Sequence, residues 1–237
     1  MKRSIVTGFV VIAALLTASG CAATRGTREE AKTSGFLGDY SQMRPGKELG
    51  GPAQLVYVKP DLDLSGYKAV RIEPVALWGG EQMKSLPRED QQRMVDSLHA
   101  ALTTKLSQDW TVVEEAGPGV LRIRAAVTSA EASNVPLDVV ATVIPQMNLL
   151  TRIVGRMAAD SSLTVGEASG ELEVLDSITG ERLLAGVDHR VGARRIGGMT
   201  DKWSDVDEAF LFWAERVRVR LAEFRGAAAA PVAAPKQ

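Results

Sequence analysis

The most constraining stretch of the chain is LTVGEASGELEVLDSITGERLLAGVDHRVG, residues 163–192. Apolar and polar residues alternate on both sides of a short polar break. A period of two marks a strand with one buried face. The first run offers Leu163, Val165, Ala168, Gly170, Leu172 and Val174 as inward positions. The pattern slips by one between Val165 and Ala168, which predicts a bulge near Gly166. Asp176 to Gly180 makes the turn, with Gly180 suited to positive φ. The return run places Leu183, Ala185, Val187, His189 and Val191 on one face. His189 on that face reads as a sheet-end packing residue, against a sharper reading as a ligand or catalytic group.

Four more stretches read as strands. QLVYV (54–58) is closed by Pro60. YKAVRIEPVAL (67–77) sets Val70 and Ile72 against Arg71 and Glu73, and Pro74 either ends its regular pairing or marks an edge. DWTVVEE (109–115) is short. VLRIRAAVTSAEA (120–132) points Leu121, Ile123, Ala125 and Val127 inward and Arg122 and Arg124 outward. Two stretches have helical spacing. Residues 86–107 carry a stripe of Met94, Val95, Leu98, Ala101, Leu102 and Leu106, with Ser85 as cap, Pro87 in the first turn and Asp90 solvated. Residues 204–225 carry Val206, Phe210, Trp213, Val217, Leu221 and Phe224, with Ser204 and Asp207 as a capping pair. This pattern predicts a two-layer α+β domain. Its sheet is mixed or mainly antiparallel, of about six strands, with two long helices on one face and a short helical insert. The other face is expected to expose Arg122, Arg124, Glu171 and Glu173.

The insert is NVPLDVVATVIPQMNLLTRIVGRMAADSS, residues 134–162. Pro145 divides it, and Met147, Leu150, Val154 and Met157 then recur at helical spacing. The plain reading is a helix covering an edge or face of the sheet. The sharper reading makes these four residues a contact for a partner, an acyl chain or the membrane, since methionine-bearing faces adapt to varied ligands.

The amino terminus concerns location. Lys2 and Arg3 precede an apolar run from Ile5 to Leu16, followed by Ala18, Ser19, Gly20 and Cys21. This is the layout of a secretory signal peptide over residues 1–20. The run is too short for a spanning helix, which needs about 20 apolar residues. ASGC resembles the lipobox of bacterial lipoproteins, although the position three before the cysteine is Ala18 where that family often has Leu. The resemblance implies a diacylglyceryl thioether on Cys21, an acylated amino group and attachment to a membrane. Two or more acyl chains anchor durably. Cys21 is the only cysteine, so the fold stands without a disulfide. Ala22, in place of Asp, implies the outer membrane by analogy with the enterobacterial sorting rule.

Residues 21–53 read as a polar, glycine-rich tether with one apolar island, GFLGDY, whose residues 35–40 are expected to dock on the domain, against a sharper reading as a recognition segment for a partner. Residues 54–225 read as one periplasmic domain. Residues 226–237 form an Ala/Pro tail too poor in apolar side chains to order itself. Without its signal the chain carries a formal charge of −3, since Lys2 and Arg3 leave a total of −1. No basic stripe marks a nucleic-acid binder.

No HExxH, phosphate-binding loop, G-x-G-x-x-G or G-x-S-x-G occurs, and there are two histidines in all. No catalytic residue, metal or cofactor is expected, and the chain is not expected to be an enzyme. The stretches GFLGDYSQMRP, LVYVKPDLDLSGYKAVRIEPV and GELEVLDSITGERLLAGVDHRVG together resemble a bacterial lipoprotein family, domain of unknown function 3313. The resemblance implies a periplasm-facing lipoprotein and supplies no activity. The expected function is therefore binding: a non-enzymatic accessory or scaffold with an envelope protein partner. The alternative is a lipid or small-molecule carrier with an apolar pocket under residues 137–158.

Overall fold

The computed structural model describes residues 24–27, 31–49, 51–132, 166–192 and 202–227. The strands in chain order are β1 (Thr24–Gly26), β2 (Arg44–Pro45), β3 (Leu55–Val58), β4 (Ala69–Ile72), β5 (Ala76–Leu77), β6 (Thr111–Val112), β7 (Val120–Glu131), β8 (Glu167–Asp176) and β9 (Arg182–Gly192). The helices are α1 (Glu81–Lys84), α2 (Arg88–Leu106) and α3 (Ser204–Ala227), with a 3-10 turn at Gly46–Leu49.

The turn between β8 and β9 is built locally. Gly180 has φ 72°. The Asp176 carboxylate accepts the backbone N–H groups of Ile178 and Thr179 at 2.9 and 2.7 Å. These bonds leave little choice of register, and β8 pairs antiparallel with β9 on one side and with β7 on the other. The main path through the sheet is β2-β3-β9-β8-β7-β4-β6, with β1 beside β9 and β5 beside β7. β4 and β5 run parallel to β7, and β4 runs parallel to β6, with α2 as the crossover that parallel strands require.

The described residues thus form nine strands, where about six are expected. β1 and β2 come from the stretch that the sequence reads as a tether. Pro74, which has no N–H to give a ladder, splits the 67–77 strand into β4 and β5. Both long helices pack on one face. Leu98, Leu102 and Leu106 of α2 and Phe210, Ala214 and Leu221 of α3 bury against Leu121, Ile123, Val127 and Val174 of the sheet. The N-cap of α2 is Pro87 and makes no side-chain cap; Ser85 instead closes α1. Asp90 is buried, not solvated: it accepts from the Trp203 indole N–H and the Lys202 ammonium, each at 2.8 Å. The insert 134–162 lies outside the described residues.

Two face assignments differ from the sequence pattern. Val174 pairs with Leu184 while Leu175 pairs with Arg182, so Leu183 is an extra residue in β9. Beyond it, Ala185 and Val187 lie on the face away from the helices, in a separate cluster with Leu37. Asp188 and Arg190 face α3, where Trp213 donates to Asp188 and Arg190 stacks over Phe212. The face expected to be solvent-exposed is also covered: Glu171 and Glu173 are each only 2 % exposed.

Candidate functional site

The cover on that second face is segment 34–43. Gly35 and Gly38 both hold positive φ, at 90° and 75°, which a residue without Cβ adopts at no steric cost. They turn Phe36 and Leu37 back onto the strands. Leu37 buries against Ala185 and Val187, with Phe36, Tyr40, Met43, Leu55 and Tyr57 around it. Phe36 meets the Trp78 ring edge-on at 5.7 Å and lies under the Arg124 guanidinium at 5.0 Å.

Beneath these apolar contacts lies an ionic layer. Glu171 accepts the Ser34 backbone N–H and the Tyr40 hydroxyl, both at 2.6 Å. The Tyr40 oxygen in turn accepts the N–H groups of Gly35 and Leu37 at 2.9 and 3.1 Å. Burial, followed by the hydrogen bond to Glu171, raises the Tyr40 pKa. Glu173 sits between the guanidinium groups of Arg124 and Arg182, with Arg182 Nε at 2.9 Å. Arg182 also donates to the carbonyls of Leu37 and Asp39. Glu73 extends the layer toward Arg71, Arg122 and Arg124 at 3.4–3.8 Å. Removing one partner of such a buried pair strands the other charge. Both buried carboxylates are already engaged by donors, so this cluster fixes the segment to the sheet.

The chain is fastened a second time nearer its start. β1 pairs with the end of β9, Thr24 opposite Gly192 and Gly26 opposite Arg190. The Thr27 N–H donates to the His189 carbonyl at 3.3 Å, and Gln54 donates to the Thr27 hydroxyl at 2.9 Å. His189 lies at the sheet end, with Nδ1 3.4 Å from the Thr27 hydroxyl and Nε2 3.4 Å from Glu167. Among the described residues no group of three or more His, Cys, Asp or Glu side chains could hold a metal, and no helix is long and apolar enough to cross a membrane. Cys21, Met147, Leu150, Val154 and Met157 lie outside the described residues.

The sequence pattern missed the ionic layer. Its signal was present: Glu171 and Glu173 share the period-two face of Arg122 and Arg124, as opposite charges on neighbouring strands do.

A sequence model of the family described as "Protein of unknown function (DUF3313)" matches residues 32–217. An uncharacterized lipoprotein of Escherichia coli strain K12, YdcL, is 27% identical over 131 residues, covering 54% of this chain and 58% of that protein. The same protein of E. coli O157:H7 matches equally. The chain thus aligns to less than two thirds of the length of these curated relatives. Among solved structures, XCC0632 of Xanthomonas campestris matches 73% of this chain and 94% of its own at TM-score 0.41 and 8% identity. The PelC dodecamer of Paraburkholderia phytofirmans matches 70% and 94% at TM-score 0.39 and 12% identity.

Proposed function

Since the chain belongs to the DUF3313 family, we propose that it is a lipid-anchored lipoprotein of the cell envelope that acts by binding. In this reading it is a non-enzymatic accessory or scaffold protein on the periplasmic side of the outer membrane. The observation that carries it is the placement of a lipobox-like Cys21 directly before a chain fastened to the sheet. The name of the E. coli relative supports the anchor. β1 begins three residues after Cys21. Three extended residues span about 10 Å. An anchor there holds the domain close to the bilayer, with the β1–β9 corner nearest the lipid. Segment 34–43 then fastens the chain to its own sheet a second time. A domain held that close to the bilayer suits a protein that docks a partner beside the membrane.

The test is envelope fractionation of the full-length protein in a bacterial host, with mass spectrometry of the amino-terminal peptide. The expected result is an acylated peptide in the outer-membrane fraction and release of a Cys21→Ala variant. A free thiol in the wild type, or a variant that stays in the membrane after a carbonate wash, rejects the anchor. In-cell crosslinking from Leu150 addresses the partner: a defined heteromeric adduct is expected, and its absence counts against a scaffold.

A further inference from the structure

A slot lies between α3 and the helix-facing side of β3, β9 and β8. It encloses about 140 Å³. Its floor includes Gly170, Leu172, Gly186 and Val56, and its roof is Trp213 and Val217. The two strand glycines play different parts. Gly170 lets the Trp213 ring lie on the strand, since a Cβ there would stand 2.7 Å from the ring. Above Gly186 a Cβ would meet only the Leu55 carbonyl oxygen, at 3.9 Å. The space above Gly186 is therefore open.

The slot is graded from end to end. Gly170 and Asp188 at one end are buried, while Pro52 is exposed and Arg216 and Arg220 are half-exposed at the other. Arg220 is committed to the Leu49 carbonyl and to Glu223. Arg216 makes no hydrogen bond or ion pair among the described residues. Asp188 is held by the Trp213 indole N–H at 2.9 Å and by Arg190 at 3.8 Å. A cavity near 150 Å³ with apolar walls can take up one small hydrocarbon. Here that volume spreads over three strands, about 10 Å at roughly 4.8 Å per strand step. It is thus narrow, and suits a polymethylene chain better than a ring.

We propose that this slot takes up the chain end of a single-chain anionic amphiphile, with Arg216 meeting its head group. The apolar walls require a hydrocarbon, and the Arg216 guanidinium at the rim, which has no ion pair among the described residues, selects the sign of the head. The proposal rests on the protein acting by binding, but it is independent of lipidation at Cys21. The carrier pocket expected from the sequence lay under residues 137–158; this slot lies under α3.

The test uses the full mature chain, residues 21–237, with Cys21→Ser so that no anchor supplies acyl chains. Decanoate and decyl phosphate are titrated, followed by 10-bromodecanoate, whose bromine quenches a neighbouring indole. Saturable binding with quenching that disappears in Trp213→Phe is expected. Saturation by decanoate alone points to a free fatty acid, and saturation by decyl phosphate alone to a lipid phosphate; either supports the slot. Gly186→Val, whose side chain fills the slot, should raise Kd at least tenfold while Tm is kept or raised. Arg216→Gln should weaken both anions severalfold and leave 1-decanol unchanged. No saturable binding overturns the proposal, as does decyltrimethylammonium binding as well as decanoate. If Gly186→Val lowers Tm, Arg216→Gln decides: unchanged anion affinity rejects the head-group assignment.

Discussion

The Tyr40 hydroxyl and Glu171 stand 2.6 Å apart although 131 residues separate them in the chain. The same hydroxyl oxygen accepts two backbone N–H groups of the turn that carries it. One phenol therefore satisfies a buried carboxylate and closes the 34–43 segment on itself. Tyr40→Phe removes all three bonds and leaves Glu171 short of a donor. A buried polar group left unsatisfied costs about 1–3 kcal/mol. Urea denaturation should show that loss. Glu171→Gln, which keeps an acceptor for one of the two donors, should cost less. An unchanged urea midpoint in Tyr40→Phe would mean that the segment contributes nothing to stability.

Leu37 is 5 % exposed and sits in the small cluster away from the main core. Leu37→Ala should destabilise by about 2–3 kcal/mol, the low end for a buried leucine. Because this cluster is separate, the loss should appear first as local opening. Amide exchange across residues 34–43 is expected to quicken more than exchange in β7. Equal acceleration in both would contradict an independently fastened segment.

Three glycines resist substitution for two different reasons. At Gly35 and Gly38 an added Cβ meets nothing within 4 Å, so the cost of alanine is the backbone conformation alone. That cost is about 1 kcal/mol per position. Gly38→Asn should be milder than Gly38→Val, since asparagine tolerates positive φ. At Gly170 the cost is the collision with Trp213, about 1–3 kcal/mol for an overpacked site. Thermal unfolding of Gly170→Ala with and without Trp213→Phe checks this: the second change should recover part of the loss.

The Tyr67–Asp176 bond, 2.8 Å long, ties stability to pH at both ends of the scale. The Thr179 N–H above all, with the Tyr67 hydroxyl and the Ile178 N–H, holds the Asp176 pKa below the ordinary 3.8. A depressed carboxylate stabilises the fold above its unfolded pKa, and that contribution fades as acid protonates it. Burial, then the Asp176 hydrogen bond, pushes the Tyr67 pKa from 10.0 up to about 12. A raised phenol stabilises the fold fully below pH 10, and the contribution is lost as pH climbs toward 12. Urea midpoints should therefore fall both below about pH 4 and above about pH 10. Tyr67→Phe should reduce the alkaline fall. Tyr40, whose pKa is also raised, should keep part of it. A midpoint that does not move between pH 9 and 11 would exclude the linkage.

Much of the fold was legible because its causes are local. Period-two alternation around a turn that needs Gly180 identifies β8 and β9, and the 3.6-residue stripes of 86–107 and 204–225 identify α2 and α3. The GFLGDY island is legible as well, since three large apolar residues in a polar stretch need somewhere to bury. What sequence periodicity cannot report is which face of a strand meets which layer. The bulge at Leu183 carries Ala185 and Val187 away from the helices. Glu171 and Glu173 look like solvent positions until a segment more than a hundred residues earlier covers them.

The sequence by itself determined the type of the long elements β7, β8, β9, α2 and α3, because hydrogen-bond geometry and side-chain period act over a few residues. Only the tertiary structure decided that the amino-terminal stretch joins the sheet as β1 and β2, and that Gly186 leaves open space in a slot beneath α3. Both depend on distances between groups far apart in the chain. Those distances are set by packing, and no local pattern encodes them.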